Sequence, residues 1–383
     1  MTVLKRLTAN VLLVAISVGL SFGGLEAFLW VWAGSHSVQI ASGSPPIAVP
    51  QPTGDAALEI PVPPEIAALA KQRQELLTMP EEFKRRPATV SGAVRADYWQ
   101  GALEVYNADG LRWATPYPAK RPDTYRVMVV GDSLTYGDGL AEKWRFSNLT
   151  AAWLQRQYRI EVVNLGHDGY QSEDVLREIE KFVPQLHPNL VLYAVCLNDF
   201  LPSGAGEYYT ADAYPFPLPA AVKNFLIKHT RSGAFLNELY DGTLRRLHLR
   251  ADFFDDILAD FGGYQNRFAR DVANMNKTVR AAGLPPLLAM VVDQYPSYGG
   301  RGYRIAMVAE KALAQAGATV IPTEDYYRRY SNQPMHITRW EGHPNEVANI
   351  IWANMIIRSL RSREDLQAYK RDEPQPSGEA AEK

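Results

Sequence analysis

The chain has 383 residues, 46% of them apolar, and a formal net charge of -2, enough to bury a full core in one large domain or two modest ones. Acids and bases are interspersed, so there is no basic field for nucleic acid and charge names no partner. The single cysteine, Cys196, excludes an internal disulfide and a multi-cysteine metal cage.

Residues 10–32 are almost wholly apolar, follow Lys5 and Arg6, and at ~1.5 Å per residue can cross a hydrocarbon layer ~30 Å thick. After Arg6 the next lysine or arginine is Lys71, so the positive flank lies on the amino side and the body is expected to face away from the cytoplasm. The competing reading is a cleaved signal peptide with Leu12 to Val18 as its core. Against it, the apolar run continues well past that core and has no clear A-x-A site. Glu26 is the one charge in the run, and with Trp30 and Trp32 nearby it is expected to snorkel to the interface, with pairing to another helix within the membrane as the alternative. Residues 35–90 turn to proline, alanine and small polar residues, which predicts a semi-extended spacer with a short helix over 64–77.

A small β unit is expected over 93–113, where LEVYNADGLRW carries an Asp-Gly turn. Residues 126–130 form a short β-branched run ending at Gly131, followed at once by the polar turn DSLTYGDG. Apolar spacing predicts a helix over 142–158, a strand over 160–165, a helix over 172–186 and a strand over 189–196. Residues 202–263 are proline- and aromatic-rich and read as a partly helical insertion over the site. A helix over 264–282, strands over 286–292 and 318–321, and helices over 303–316 and 344–360 complete the body. The alternation predicts an α/β fold, a three-layer flavodoxin-like parallel sheet with helices on both faces, behind an N-terminal transmembrane helix. The expected layout is a cytoplasmic stub and anchor at 1–34, the spacer at 35–90, the domain at 91–362 and a disordered tail at 363–383.

Ser133 follows a buried strand at the sheet edge where ligands of open α/β sheets collect. A serine nucleophile needs a base for its proton, a group to hold that base, and donors for the oxyanion. His343, in WEGHPN ahead of the last helix, can return to the same edge as base. The backbone NH of Ser133, a backbone NH at Gly169 and the amide of Asn198 are candidate oxyanion donors. His167 is a candidate for the pocket lining, while His187, His229, His248 and His336 lack ligand spacing. Neither a metal nor a nucleotide cofactor is indicated.

These blocks resemble the SGNH (GDSL-type) hydrolases: GDSLTYG at 131–137, the glycine of NLGHDGYQS, the Asn198-Asp199 pair and HPN at 343–345, all in family order. The resemblance spans roughly residues 125–360 and looks like the membrane-anchored bacterial variety. It implies Ser133 as nucleophile, Ser133, Gly169 and Asn198 as the oxyanion hole, and His343 as base. Gly169 fits the second block better than Gly166, because it sits just before the polar start of the helix. The family pattern has an aspartate three residues before the histidine, where this chain has Trp340. Glu341 is the nearest acid, with no orienter or a remote one (Asp293, Glu324, Asp325) as alternatives.

The function expected is a membrane-anchored serine esterase that removes acyl groups, acetyl among them, from a carbohydrate or lipid. It would be a single-pass protein of the bacterial inner membrane, held by residues 10–32 in the lipid bilayer, with its domain in the periplasm. An envelope glycan O-acyltransferase would use the same residues and would need a multispanning membrane partner. A non-catalytic binding module on this scaffold is the third reading.

Overall fold

A computed structural model describes residues 2–35, 59–77, 79–80, 83–112, 119–204, 218–247, 249, 253–293, 301–330, 332–338 and 341–371. The apolar run lies within one long helix, α1 (Thr2–Ser35), whose stretch Leu12–Trp32 is long and apolar enough to cross a membrane. Residues 36–58 of the expected spacer, Trp340 and the tail beyond residue 371 lie outside the described residues.

The part of the spacer that is described does not behave as one. Helix α2 (Pro64–Glu75) places Ile66 and Ala70 in the core, and Ile60 exchanges backbone hydrogen bonds with the Asn354 amide at 2.7 and 2.9 Å. Apolar residues scattered among prolines read as linker composition, yet here they cover a face of the domain. The next strand, β1 (Arg86–Ala88), also falls in that stretch and pairs antiparallel with β2 (Arg95–Trp99), which pairs with β3 (Ala102–Tyr106). The β2–β3 hairpin turns at Gln100–Gly101, both at positive φ (48° and 80°), as a two-residue turn between twisted strands requires. The Asp109–Gly110 pair closes a separate turn after β3, where Gly110 N donates to Asn107 O at 3.1 Å.

The main sheet starts with β4 (Tyr125–Gly131), which leads through the single-turn helix α3 (Ser133–Tyr136) and α4 (Phe146–Leu154) to β5 (Ile160–Asn164). The helix expected over 142–158 is broken. Residues 142–144 make one tight turn and Arg145 is extended, its buried guanidinium donating toward Arg112 O and Tyr136 O at 3.5 and 3.4 Å. Then come α5 (Ser172–Leu186), β6 (Leu190–Val195), and the insertion helices α6 (Ala220–His229), α7 (Arg231–Arg246) and α8 (Phe253–Ala259). The chain continues through α9 (Phe261–Ala281), β7 (Leu288–Val291), α10 (Arg301–Gln315), β8 (Thr319–Val320), α11 (Glu324–Arg329), α12 (Glu346–Arg361) and α13 (Glu364–Gln367).

All five strands are parallel, in the order β5-β4-β6-β7-β8. Every residue of β4, β6 and β7 is buried, which is why these strands read as unbroken apolar runs rather than alternating ones. Helices flank the sheet, α12 packing on α4 and α5 on α9. The order in which strands are added reverses between β4 and β6, and the crevice beyond their carboxyl ends is the switch point where such sheets bind ligands. The tail begins later than expected. Leu366 is buried, Tyr125 Oη donates to Asp365 at 3.0 Å, and Arg371 N donates to Gln157 O at 2.8 Å, so residues 363–371 pack against the start of β4 and the chain leading into β5.

Candidate active site

Ser133 stands directly after β4, in the first turn of α3. Asp132 caps that turn, its Oδ1 accepting from Leu134 N at 3.0 Å, and Gly137 ends it at φ 77°. Ser133 O accepts from Gly137 N and Asp138 N at 2.9 and 3.2 Å, which folds Asp138 back beside the serine. Asn164, at the end of β5, steadies the same turn: its Nδ2 donates to Thr135 O and Ser147 Oγ, both at 2.7 Å.

The two glycines of the second block do different work. A Cβ on Gly166 would stand 2.2 Å from Tyr136 N, so the chain there lies flat against the serine helix. Gly169 is at φ 77° and a Cβ there would meet nothing within 4 Å, so its peptide borders open space. Asn198 lies in the turn after β6, its amide Oδ1 buried with no hydrogen-bond partner among the described residues.

His343 is carried to this rim by the loop before α12. Ile337 N donates to His343 O at 2.8 Å, and Asn345 caps α12 while its Nδ2 donates to Pro334 O and His336 O at 2.8 and 2.9 Å. Glu341 Oε1 lies 2.5 Å from His343 Nδ1, and Asp138 Oδ2 lies 3.5 Å from the same nitrogen. With Nδ1 held by carboxylates, Nε2 is the nitrogen left for a hydroxyl. Of the remote acids, Asp293 accepts from Leu197 N at 3.3 Å and Glu324 pairs with Arg328 at 2.5 Å. The side chain of Asp325 is outside the described residues.

Burial would lower the His343 pKa, but Asp138 and then Glu341 outweigh it and raise it to about 10. Burial likewise pushes Asp138 up, to about 6, against the opposing pull of His343. Glu341 goes the other way: burial would raise it, but its bond to His343 holds it below the ordinary carboxylate range. Beneath the serine turn, desolvation raises Asp132 to about 6 and lifts Asp199 and the Cys196 thiol well above their usual values, so Cys196 is an inert, buried thiol.

The small sheet β1–β3 holds this machinery in place, a role its sequence did not announce. Trp99 Nε1 donates to Asp138 Oδ2 at 3.0 Å, and Gln100 Nε2 donates to Glu341 Oε2 at 3.3 Å. Glu104, fully buried, accepts from Gly139 N at 2.9 Å and from the hydroxyls of Tyr106 and Tyr136 at 2.8 and 3.3 Å. Arg112 donates to the carbonyls of Gly137 and Leu140. The turn that carries Ser133 and Asp138 is therefore gripped from outside the main sheet. A cleft of about 540 Å³ opens between the two units, lined among others by Arg85, Arg95, Tyr106, Asn107, His167 and Asp168 and reaching Asp138. His167 stacks on Tyr170 with ring centres 4.2 Å apart.

A parallel sheet of this order, with a serine directly after its central strand and a carboxylate-held imidazole beside the serine turn, is an arrangement compatible with acyl-transfer chemistry. Residues 129–349 match the GDSL-like lipase/acylhydrolase family. The chain belongs to that family and is an ester-bond hydrolase. Solved structures resemble it at low identity. TesA matches at 19% identity and a TM-score of 0.39, covering 62% of this chain and 98% of its own. The psychrotrophic esterase EstA from a Pseudoalteromonas species, inhibited by monoethylphosphonate, matches at 15% and 0.39, covering 62% and 96%. Axe2, an acetylxylan esterase from Geobacillus stearothermophilus, matches at 14% and 0.39, covering 62% and 97%. Among curated proteins no sequence matches. The small sheet lies wholly outside the family match.

Proposed function

We propose that the chain is a membrane-anchored serine esterase. Ser133 Oγ attacks the acyl carbonyl while His343 Nε2 takes its proton and passes it to the leaving alkoxide, which departs as an alcohol. The oxyanion is met by the NH groups of Ser133 and Gly169 and the Asn198 amide, each donor worth roughly 3 kcal/mol in comparable sites. Water activated by His343 then releases the acid from the acyl-serine. Glu341 and Asp138 hold the imidazole. The observation that carries this reading is His343 Nδ1 seated on Glu341 Oε1 at 2.5 Å and beside Asp138, whose own backbone bonds to Ser133.

The charged and aromatic side chains along the cleft beside Asp138 favour a polyhydroxylated leaving group, a carbohydrate rather than a long acyl chain. Arginines, an asparagine and aromatic rings suit hydroxyl groups and sugar faces, whereas an acyl tail needs an apolar trough. Helix α1 supplies the anchor, with Lys5 and Arg6 on the cytoplasmic side and the domain in the periplasm.

A serine-directed phosphonate tests the mechanism. It should label the wild-type chain at Ser133 and leave Ser133→Ala unlabelled, and no labelling of folded wild-type protein would refute the nucleophile. Release of free acetate from acetylated oligosaccharides supports hydrolysis. Acyl transfer to sugar acceptors in excess of acetate release would instead identify an acyltransferase.

A further inference from the structure

Glu26, the charge in the apolar run, does not simply reach for water. Its carboxylate accepts from Ser232 N at 2.7 Å, Ser232 Oγ at 2.5 Å and Arg231 N at 3.2 Å, as well as from Trp30 Nε1 at 3.1 Å. These amides are the free donors at the start of α7, a helix of 16 residues, and an acid there satisfies them and opposes the helix dipole. The Arg231 guanidinium covers the Trp30 ring at 4.3 Å, and Leu29 is buried. The anchor and the insertion are thus joined by a polar clasp with an apolar residue under it.

The clasp also fixes a depth. Glu26 lies six positions before Trp32, the end of the apolar stretch, or about 9 Å at ~1.5 Å per residue. In a bilayer, the corner between α6 and α7 therefore stands at the boundary of headgroups and acyl chains, the level at which amphipathic helices lie. The hairpin has the surface for that position. Leu218, Val222 and Phe225 are spaced four and three apart along one face of α6 and its lead-in, and are 38%, 46% and 60% exposed. Leu239 on α7 is 54% exposed. Lys228 and His229 end α6 and Arg231 opens α7, cations at the level of lipid phosphates. Gly233 lets the two helices close up, since a Cβ there would stand 2.5 Å from the Leu226 backbone.

We propose that the α6–α7 hairpin is a second membrane contact, lying in the outer interface of the same bilayer that α1 spans, with Glu26 as the clasp that sets its depth. The proposal rests on α1 being a retained anchor. It gives the insertion a task distinct from lining the catalytic cleft, and it holds the domain close to the lipid surface.

The full chain is to be placed in nanodiscs of phosphatidylethanolamine and phosphatidylglycerol, with a nitroxide on an introduced cysteine at Phe225→Cys or, separately, Leu239→Cys. Met307→Cys on α10, itself 53% exposed, gives an aqueous reference, and buried Cys196 escapes labelling. The ratio of oxygen to nickel-chelate accessibility should be at least ~5-fold higher at 225 and 239 than at 307. Equal ratios in a chain that survives a carbonate wash overturn the hairpin contact alone. Release by that wash overturns the anchor and the hairpin contact with it. Shielding of 225 and 239 from both reagents marks a protein-covered face and overturns the lipid assignment.

Discussion

Replacing Asp138 by asparagine tests whether two carboxylates share one imidazole. In the parent, Asp138 Oδ2 is 3.5 Å from His343 Nδ1. A unit charge at that distance, with an effective dielectric near ~20, contributes roughly 4–5 kcal/mol, equivalent to ~3 pH units. Burial raises Asp138 only to about 6, so it is mostly ionised at neutrality and exerts most of that pull. The substitution keeps the shape, and the asparagine Oδ1 can still accept from Trp99 Nε1. On the proposed mechanism His343 can act as base only when neutral, so parental kcat/KM should rise with pH to a midpoint on the alkaline side. In Asp138→Asn that midpoint should fall by roughly 2–3 pH units, toward the ordinary histidine value. The assay is hydrolysis of p-nitrophenyl acetate from about pH 5 to about pH 10, corrected for spontaneous hydrolysis. Linkage predicts a companion effect on stability. Because the folded pKa is raised, the His343 pairing stabilises fully below 6.5 and is lost as pH rises through about 10, and Asp138→Asn should flatten that loss. An unshifted kinetic midpoint in a folded variant refutes the shared-imidazole argument.

Asp132→Asn should stabilise the fold most at neutral and alkaline pH. Asp132 is raised from 3.8 to about 6 by burial, so its ionisation costs nothing at low pH and up to roughly 3 kcal/mol above 6, and the melting temperatures of variant and parent should separate as pH rises through that window. Arg73→Ala should destabilise by roughly 3–5 kcal/mol in urea unfolding, because it strands Glu346, 2.8 Å away and 3% exposed, without its partner. The double variant Arg73→Met with Glu346→Gln should recover much of that loss.

Much of the main sheet was legible because its strands are buried on both faces and each ends in a polar turn, a pattern that survives in one dimension. The strand ahead of Ser133, the turn at Asn198 and the loop of His343 all announce themselves this way. The grip on them did not. Glu104 meets Gly139 N from 35 positions away and Gln100 meets Glu341 from 241, and no local period encodes such a pairing. Asp138 stood in plain view five residues after Ser133, but in a turn rich in glycine a carboxylate reads as a turn former until the histidine loop is seen beside it. Composition misled at both ends of the domain. Prolines disguised α2 and β1 as linker, and a charged tail hid the buried Leu366. For Glu26, the usual rule for a lone acid near an interface gives way to the alternative of pairing with another helix, through the waiting amides of α7.

The grip of the small sheet bears on how the protein can be divided. A fragment cut to the borders of the family match would keep four of the five parallel strands whole and only the end of β4, and would lose the indole on Asp138, the amide on Glu341 and the carboxylate on Gly139 N. Such a fragment would present the right residues on a slack hinge. In this chain the folded unit is larger than the recognisable one, and it begins at least as early as Ile60, whose backbone is tied to α12.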